Sequence, residues 1–256
     1  MATVLRCLAI LAAVVLGALL FTETLYAARP QTSVADQTLL NAANRDRAAA
    51  GLPPLHWDAA LAAAAHQHAL LMAQKNTLSH QFPGEPPMQD RARYAGARFS
   101  LIAENVAQGP SVAGLHTQWM NSRPHRANLL DPGLNAVGIS VVQSGRMYFA
   151  VENFSTAVLA MSLDDQEQQV ASRLAAQGLR TDGSTADARK TCALDRGWVG
   201  QKPASVVRYE TADLSRLPDE VDQRIGSGKY HSAAVGACEA GPSGSFTRYR
   251  MAILLF

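Results

Sequence analysis

The order of capped helical segments and glycine-turned β runs predicts an α+β chain. Two observations carry this. Ser33, Asp58, Ser111 and Ser162 each stand ahead of a segment whose apolar residues recur at helical spacing. Ala136 to Val142 with Met147 to Phe154, and His231 to Cys238 with Phe246 to Phe256, read as two pairs of β-rich runs joined as hairpins.

Taken in order, Ser33-Val34-Ala35-Asp36 has the form of a capping box, and its helix runs through Leu39, Leu40 and Ala43 to a stop at Gly51. Pro53-Pro54 prevents continuation. Asp58 caps a second, Ala-rich helix carrying Leu61, Ala65, His68 or Ala69, and Met72, suited to close packing on a sheet. Ser79 to Gln108 shows little periodicity, and Pro83-Gly84 with Pro86-Pro87 marks it as an irregular excursion. Ser111 opens a third helix through Trp119 and Met120, after which Ser122 and Pro124 open a short turn. The hairpin turning at Ser144-Gly145 follows. Beyond it, Ser162 starts a helix ending at Gly178, Ser205 to Thr211 forms a strand, Pro218 to Ile225 a short helix, and the second hairpin closes the chain. Ala136-Val137-Gly138 and Ala234-Val235-Gly236 echo each other ahead of the last strand of each half. A degenerate duplication and two hairpins with a small residue at one packing contact would look alike.

Met1 to Arg6 carries one cation, Cys7 to Phe21 is almost wholly apolar, and Ala27-Ala28 supplies small residues for a signal peptidase. The apolar run falls short of the roughly 20 residues a membrane span needs. Residues 1–28 are therefore expected to be a signal peptide, which makes the chain secreted, extracellular or periplasmic, with no stable transmembrane anchor after cleavage. Net charge is only +2 with scattered basic residues, so no nucleic-acid footprint is present. Once Cys7 leaves with the signal, Cys192 and Cys238 remain as an even pair in an oxidising compartment and are expected to form a disulfide.

The first half carries an ordered set of short motifs. These are Asn44-Arg45 with Gly51-Leu52, Pro54-Leu55-His56-Trp57-Asp58, Ser79-His80, and Ala103-Glu104-Asn105-Val106-Ala107. They continue with Trp119-Met120-Asn121-Ser122, His125-Arg126-Ala127-Asn128-Leu129-Leu130, Val137-Gly138-Ile139 and Asn153-Phe154. In this order they resemble the CAP superfamily (cysteine-rich secretory proteins, antigen 5 and pathogenesis-related class 1 proteins; SCP-like), in its bacterial secreted form. The resemblance implies a CAP-type α-β-α sandwich at residues 33–156, followed by a smaller α+β C-terminal domain at 160–256 of unassigned role.

It further implies a cleft gathering His80, Glu104 and His125, with Ser122 and Asn105 beside them. Two neutral imidazoles suit zinc or another divalent metal, and Glu104 could ligate or orient a bound water. Many eukaryotic members of the family place a second glutamate three residues after the helix tryptophan. Here that position is Ser122, an N-cap by its local context, and the missing carboxylate weighs against a general base. Asn105 is read as bracing the cleft loop, Trp57 and Trp119 as core, and His66 and His68 as lying on different helix faces. Gly226-Ser227-Gly228-Lys229 is a turn, since Gln223 and Tyr230 break the phosphate-loop pattern.

The function expected from the resemblance is a non-enzymatic extracellular binding module for a small apolar, lipid or sterol-like ligand or a cell-envelope partner. One alternative is a zinc-assisted hydrolase or protease with Glu104 as the candidate catalytic residue. The other is a scaffold with a vestigial cleft.

Overall fold

The Ser33 hydroxyl accepts from Asp36 N–H at 3.1 Å while the Asp36 carboxylate accepts from Ser33 N–H at 2.9 Å, closing the expected capping box on helix α1, Val34–Ala49. The computed structural model describes residues 32–239 and 246–256, which belong to one structural unit, Thr32–Phe256. The expected signal sequence at 1–28, with Cys7 and Ala27-Ala28, lies outside the described residues.

Strand β1, His56–Trp57, leads to α2, Ala59–Lys75, capped by Asp58, whose carboxylate accepts from Ala60 and Leu61 N–H. Helix α3, Met88–Tyr94, and strand β2, Phe99–Gly109, follow. Helices α4, Val112–Asn121, and α5, Arg123–Leu129, then lead to the hairpin of β3, Ala136–Ser144, and β4, Met147–Ala157. The strands form one sheet in the order β1-β3-β4-β2, with β1 parallel to β3 and the other pairs antiparallel.

The sheet lies between two helical layers because its strands are apolar on both faces. Ala107, Val137, Ile139, Ala150 and Phe154 pack with Leu39, Leu115, Trp119 and Leu129 of α1, α4 and α5. Val106, Phe149 and Val151 pack with Ala65, Ala69 and Met72 of α2 on the other face. Alanines on α2 let its backbone approach closely, and Gly138 permits the closest point. A Cβ there would lie 2.0 Å from Ala62 N.

The region expected to be irregular, Ser79 to Gln108, holds α3 and most of the eleven-residue β2. Its strand pattern is hidden because β2 is covered on both faces and Glu104-Asn105 interrupts the apolar run.

The C-terminal half has its own sheet. Helix α6, Leu163–Ala176, and α7, Thr185–Cys192, precede strand β5, Ser205–Thr211. Helix α8, Asp219–Gly226, then leads to β6, Ala233–Cys238, and β7, Tyr249–Leu255. The antiparallel order is β5-β7-β6. Sequence alone leaves α7 as a polar stretch; it is an eight-residue helix capped by Ser184. Cys192 and Cys238 are joined in the expected disulfide, with Cα atoms 5.8 Å apart. Thr247 N–H donates to Phe99 O at 2.7 Å and the Phe246 ring meets the Phe99 ring edge-on, tying the second half to the start of β2.

Candidate functional site

Glu104 lies mid-strand on β2, paired in register with Asn153 of β4, and faces the α2–α3 layer. Alternation places Asn105 on the opposite face, toward α5. One residue pair therefore serves both sides of the sheet.

The Glu104 carboxylate is buried and engaged at both oxygens. Oε1 meets His80 Nδ1 at 2.9 Å, and Oε2 accepts from Arg91 Nη2 of α3 at 2.7 Å. His80 belongs to the loop after α2, and its side chain is 60% exposed. Its ring is thus anchored at Nδ1 on a buried carboxylate and open to solvent on the other side. The hydrogen bond to Glu104 is the main force raising the His80 pKa above the ordinary imidazole value, against partial burial.

The loop is held by buried charge. Arg91 Nη1 donates to Glu85 Oε1 at 2.6 Å and Nη2 also reaches His80 O at 3.1 Å. Glu85 in turn meets His68 Nδ1 at 2.6 Å and accepts from Phe82 N–H at 2.9 Å. Burial alone would push the Glu85 carboxyl up; the Phe82 N–H, His68 and Arg91 together hold it below the usual range. His68 is fully buried, with Nε2 at 2.7 Å from Ser79 O, so both its ring nitrogens are satisfied on the loop. His66 instead meets Ser140 Oγ at 3.0 Å, and the two histidines serve different partners.

On the other face, Asn105 is a brace, as expected from its type. Its Nδ2 donates to His125 O at 3.1 Å, and its Oδ1 accepts from Asn128 Nδ2 at 2.9 Å. Ser122 occupies the N-cap position of α5 with Pro124 in the first turn, but its hydroxyl makes no capping bond, which corrects the expectation of a side-chain cap. The His125 pKa is lowered, first by burial and second by the charge of His80. Trp119 is fully buried and donates from Nε1 to Val106 O at 3.1 Å, while Trp57 packs half-buried against the same core.

Sequence patterns do not single out Glu85, Arg91 or Glu152. Glu152 pairs with Asn105 across β2 and β4, is fully buried, and accepts from Asn105 Nδ2 at 3.4 Å. Burial pushes its carboxyl up to about 8, opposed by the Asn105 bond. Its Oε1 has no partner among the described residues. The signal that could have found it is the polar pair Glu152-Asn153 inside an otherwise apolar strand.

Among the described residues, no three His, Cys, Asp or Glu side chains are arranged to hold a metal ion. The geometry brings His80 and Glu104 together directly, with Arg91 held against the other oxygen of the Glu104 carboxylate.

A sheet sandwiched between helical layers, with a His–Glu pair at the end of a loop braced from the next helix, defines a CAP-type domain. Residues 40–157 match the family model of the Cysteine-rich secretory protein family, CAP, and this part of the chain is a CAP-superfamily domain with bacterial homologues. The "Uncharacterized protein YkwD" of Bacillus subtilis (strain 168) is 30% identical over 128 residues, 50% of this chain and 50% of that protein. An extracellular SCP-domain protein of Bacillus anthracis str. Ames matches at 33% identity and TM-score 0.43, over 46% of this chain and 39% of that one. NaASP2, solved with Zn2+, matches at 11% identity and TM-score 0.37, over 52% of this chain and 85% of that one. The match thus spans half or less of the first two relatives' own length.

Proposed function

We propose that this is an extracellular binding module whose cleft holds a divalent cation between His80 and His125, with Glu104 orienting His80. The observation that carries this is the full commitment of the Glu104 carboxylate to His80 Nδ1 and Arg91 Nη2. A histidine that ligates metal usually gives its other ring nitrogen to a carboxylate, which fixes ring orientation and tautomer. His80 has that arrangement at Nδ1, on a largely exposed side chain. The donor set fits a borderline cation through two imidazoles, leaving coordination positions for solvent or a ligand. Glu104 fits as orienter and does not fit as a ligand, because a cation would have to displace Arg91.

The same observation disfavours hydrolysis. A carboxylate held by a buried guanidinium at 2.7 Å is a poor base toward water, and Ser122 supplies no second carboxylate. Secretion is supported by the Cys192–Cys238 disulfide, since such bonds persist in oxidising compartments. Among the described residues no helix is long and apolar enough to cross a membrane. The bound cation or the cleft itself would then present the surface for a small apolar ligand or an envelope component, the partners the family resemblance suggests.

Calorimetric titration of the metal-stripped protein with zinc tests this. Binding in wild type that disappears in both His80→Ala and His125→Ala is the expected result. Absent binding, or binding unchanged in both variants, would overturn the cation site and leave the cleft as a scaffold feature.

A further inference from the structure

We propose that residues 162–256 are a second copy of the CAP scaffold, which has kept the framework of the first and lost its cleft. The order of elements repeats. In the first half it runs α1, β1, α2, β2, α4–α5, β3, β4; in the second it runs α6, a bridge at Arg180, α7, β5, α8, β6, β7. The first half adds helix α3, and has the two helices α4 and α5 where the second has α8 alone.

The sheet topology repeats as well. In both halves the last strand lies between the first long strand and its own hairpin partner, giving β2-β4-β3 and β5-β7-β6 with every pair antiparallel. β1 lies parallel to the start of β3, with His56 N–H donating to Asn135 O and Asp58 N–H to Val137 O. Between α6 and α7, Arg180 pairs parallel with Ser232 just ahead of β6, with Arg180 N–H donating to His231 O and Gly183 N–H to Ala233 O.

Layering matches too. α6 and α8 cover one face of the second sheet through Val170, Leu174, Val221 and Ile225, as α1, α4 and α5 do in the first. α7 covers the other face through Ala188 and Cys192, the place α2 holds.

The closest contact fixes the alignment residue by residue. A Cβ on Gly138 would lie 2.0 Å from Ala62 N and 2.2 Å from Leu61 C; one on Gly236 would lie 2.2 Å from Arg189 N and 2.1 Å from Ala188 C. Each is the third residue of the Ala-Val-Gly echo, and each receives one helical peptide unit. Two chance hairpins with a small residue would not also share the helix that crosses them, its partner face and the parallel segment.

Carrying this alignment through the strand registers places the second half's residues on the cleft. Gly138 pairs with Asn153 and Asn153 with Glu104; Gly236 pairs with Ala252 and Ala252 with Arg208. Arg208 therefore stands where Glu104 does, and its Nε donates to Thr191 O at 3.0 Å, tying β5 to the end of α7. The long loop and α3 that carry His80, Glu85 and Arg91 are reduced to the twelve residues 193–204, which contain no histidine. The second copy offers a guanidinium in place of the carboxylate, so among the described residues it has no counterpart of the His80–Glu104 pair.

The alignment also predicts a disulfide that nature did not place. Ala65 falls on Cys192 and Ser140 on Cys238. Full-length Ala65→Cys/Ser140→Cys, oxidised and digested without reduction, is expected to yield a 65–140 cross-link alongside 192–238, with no free thiol at any of these four positions. Folded double variant that keeps two free thiols would overturn the correspondence. Should the variant not fold, an experimental structure of the wild-type chain decides. One superposition must bring all seven elements and the Cα atoms of Glu104 and Arg208 together, and a different register at β6 or β5 overturns the proposal.

Discussion

Glu104 sits between a buried guanidinium and a half-open imidazole, and its removal should be felt by both. Glu104→Gln leaves Arg91 with Glu85 as its carboxylate partner, and breaking one side of a buried ion pair costs on the order of 3 kcal/mol. Urea denaturation would measure this; an unchanged midpoint would mean that Arg91 is satisfied without Glu104. Because Glu104 raises the His80 pKa, the charged pair contributes stability below the unfolded imidazole value and loses it as pH rises through the folded one. Glu104→Gln should accordingly lower the His80 titration followed by NMR. Glu152 has the opposite consequence. With its folded value near 8, the native state binds more protons than the unfolded chain above the ordinary carboxylate range, so stability falls as pH rises toward 8. Glu152→Gln is expected to flatten this fall between pH 5 and pH 8. Equal pH slopes in variant and wild type would show that another group carries it.

At the scale of elements, the fit of helix to sheet depends on two glycines. Gly138→Ala and Gly236→Ala each place a methyl group onto helical backbone, which must move away at a cost of roughly 2–3 kcal/mol or more. Chemical denaturation of each variant should show a clear loss; a neutral substitution would mean that the helix can lift freely. What sequence makes legible at this scale is what local chemistry determines. Ser33, Asp58, Ser111 and Ser162 bond the first turns they were expected to cap. Both hairpins stand where alternating β-rich runs end in turn residues. β2 escapes because a strand covered on both faces has no alternation to read. Within the site, the His80–Glu104 contact joins two of the short motifs that the sequence singles out. Arg91 and Glu85 are not singled out by sequence, because α3 brings Arg91 to Glu104, and loop 76–87 brings Glu85 to Arg91, only in the folded chain.

For the whole molecule, two sheets of like topology share one chain, and the second is stapled where the first is not. The Cys192–Cys238 bond closes a sequence separation of 46 residues, worth about 4 kcal/mol in the chain-entropy model. Cys192→Ser/Cys238→Ser should lower the melting temperature by several degrees and remove its sensitivity to reductant. A smaller core needs such a cross-link more than a larger one does. The first half instead has the wide α2 contact, the buried charges around Arg91, and Arg47, whose guanidinium donates to the carbonyls of Pro53, Leu129, Asp131 and Leu134.

In the proposed site His80 and His125 hold a cation while Glu104 only orients. The most direct measurement is 15N NMR of the imidazole nitrogens during zinc titration of the metal-stripped protein. The expected result is a large shift at His80 Nε2 and at one His125 nitrogen, with His80 Nδ1 remaining protonated, and binding weakened about 10–100-fold in Glu104→Gln. Shifts confined to other histidines, or none at either of these two, would contradict it.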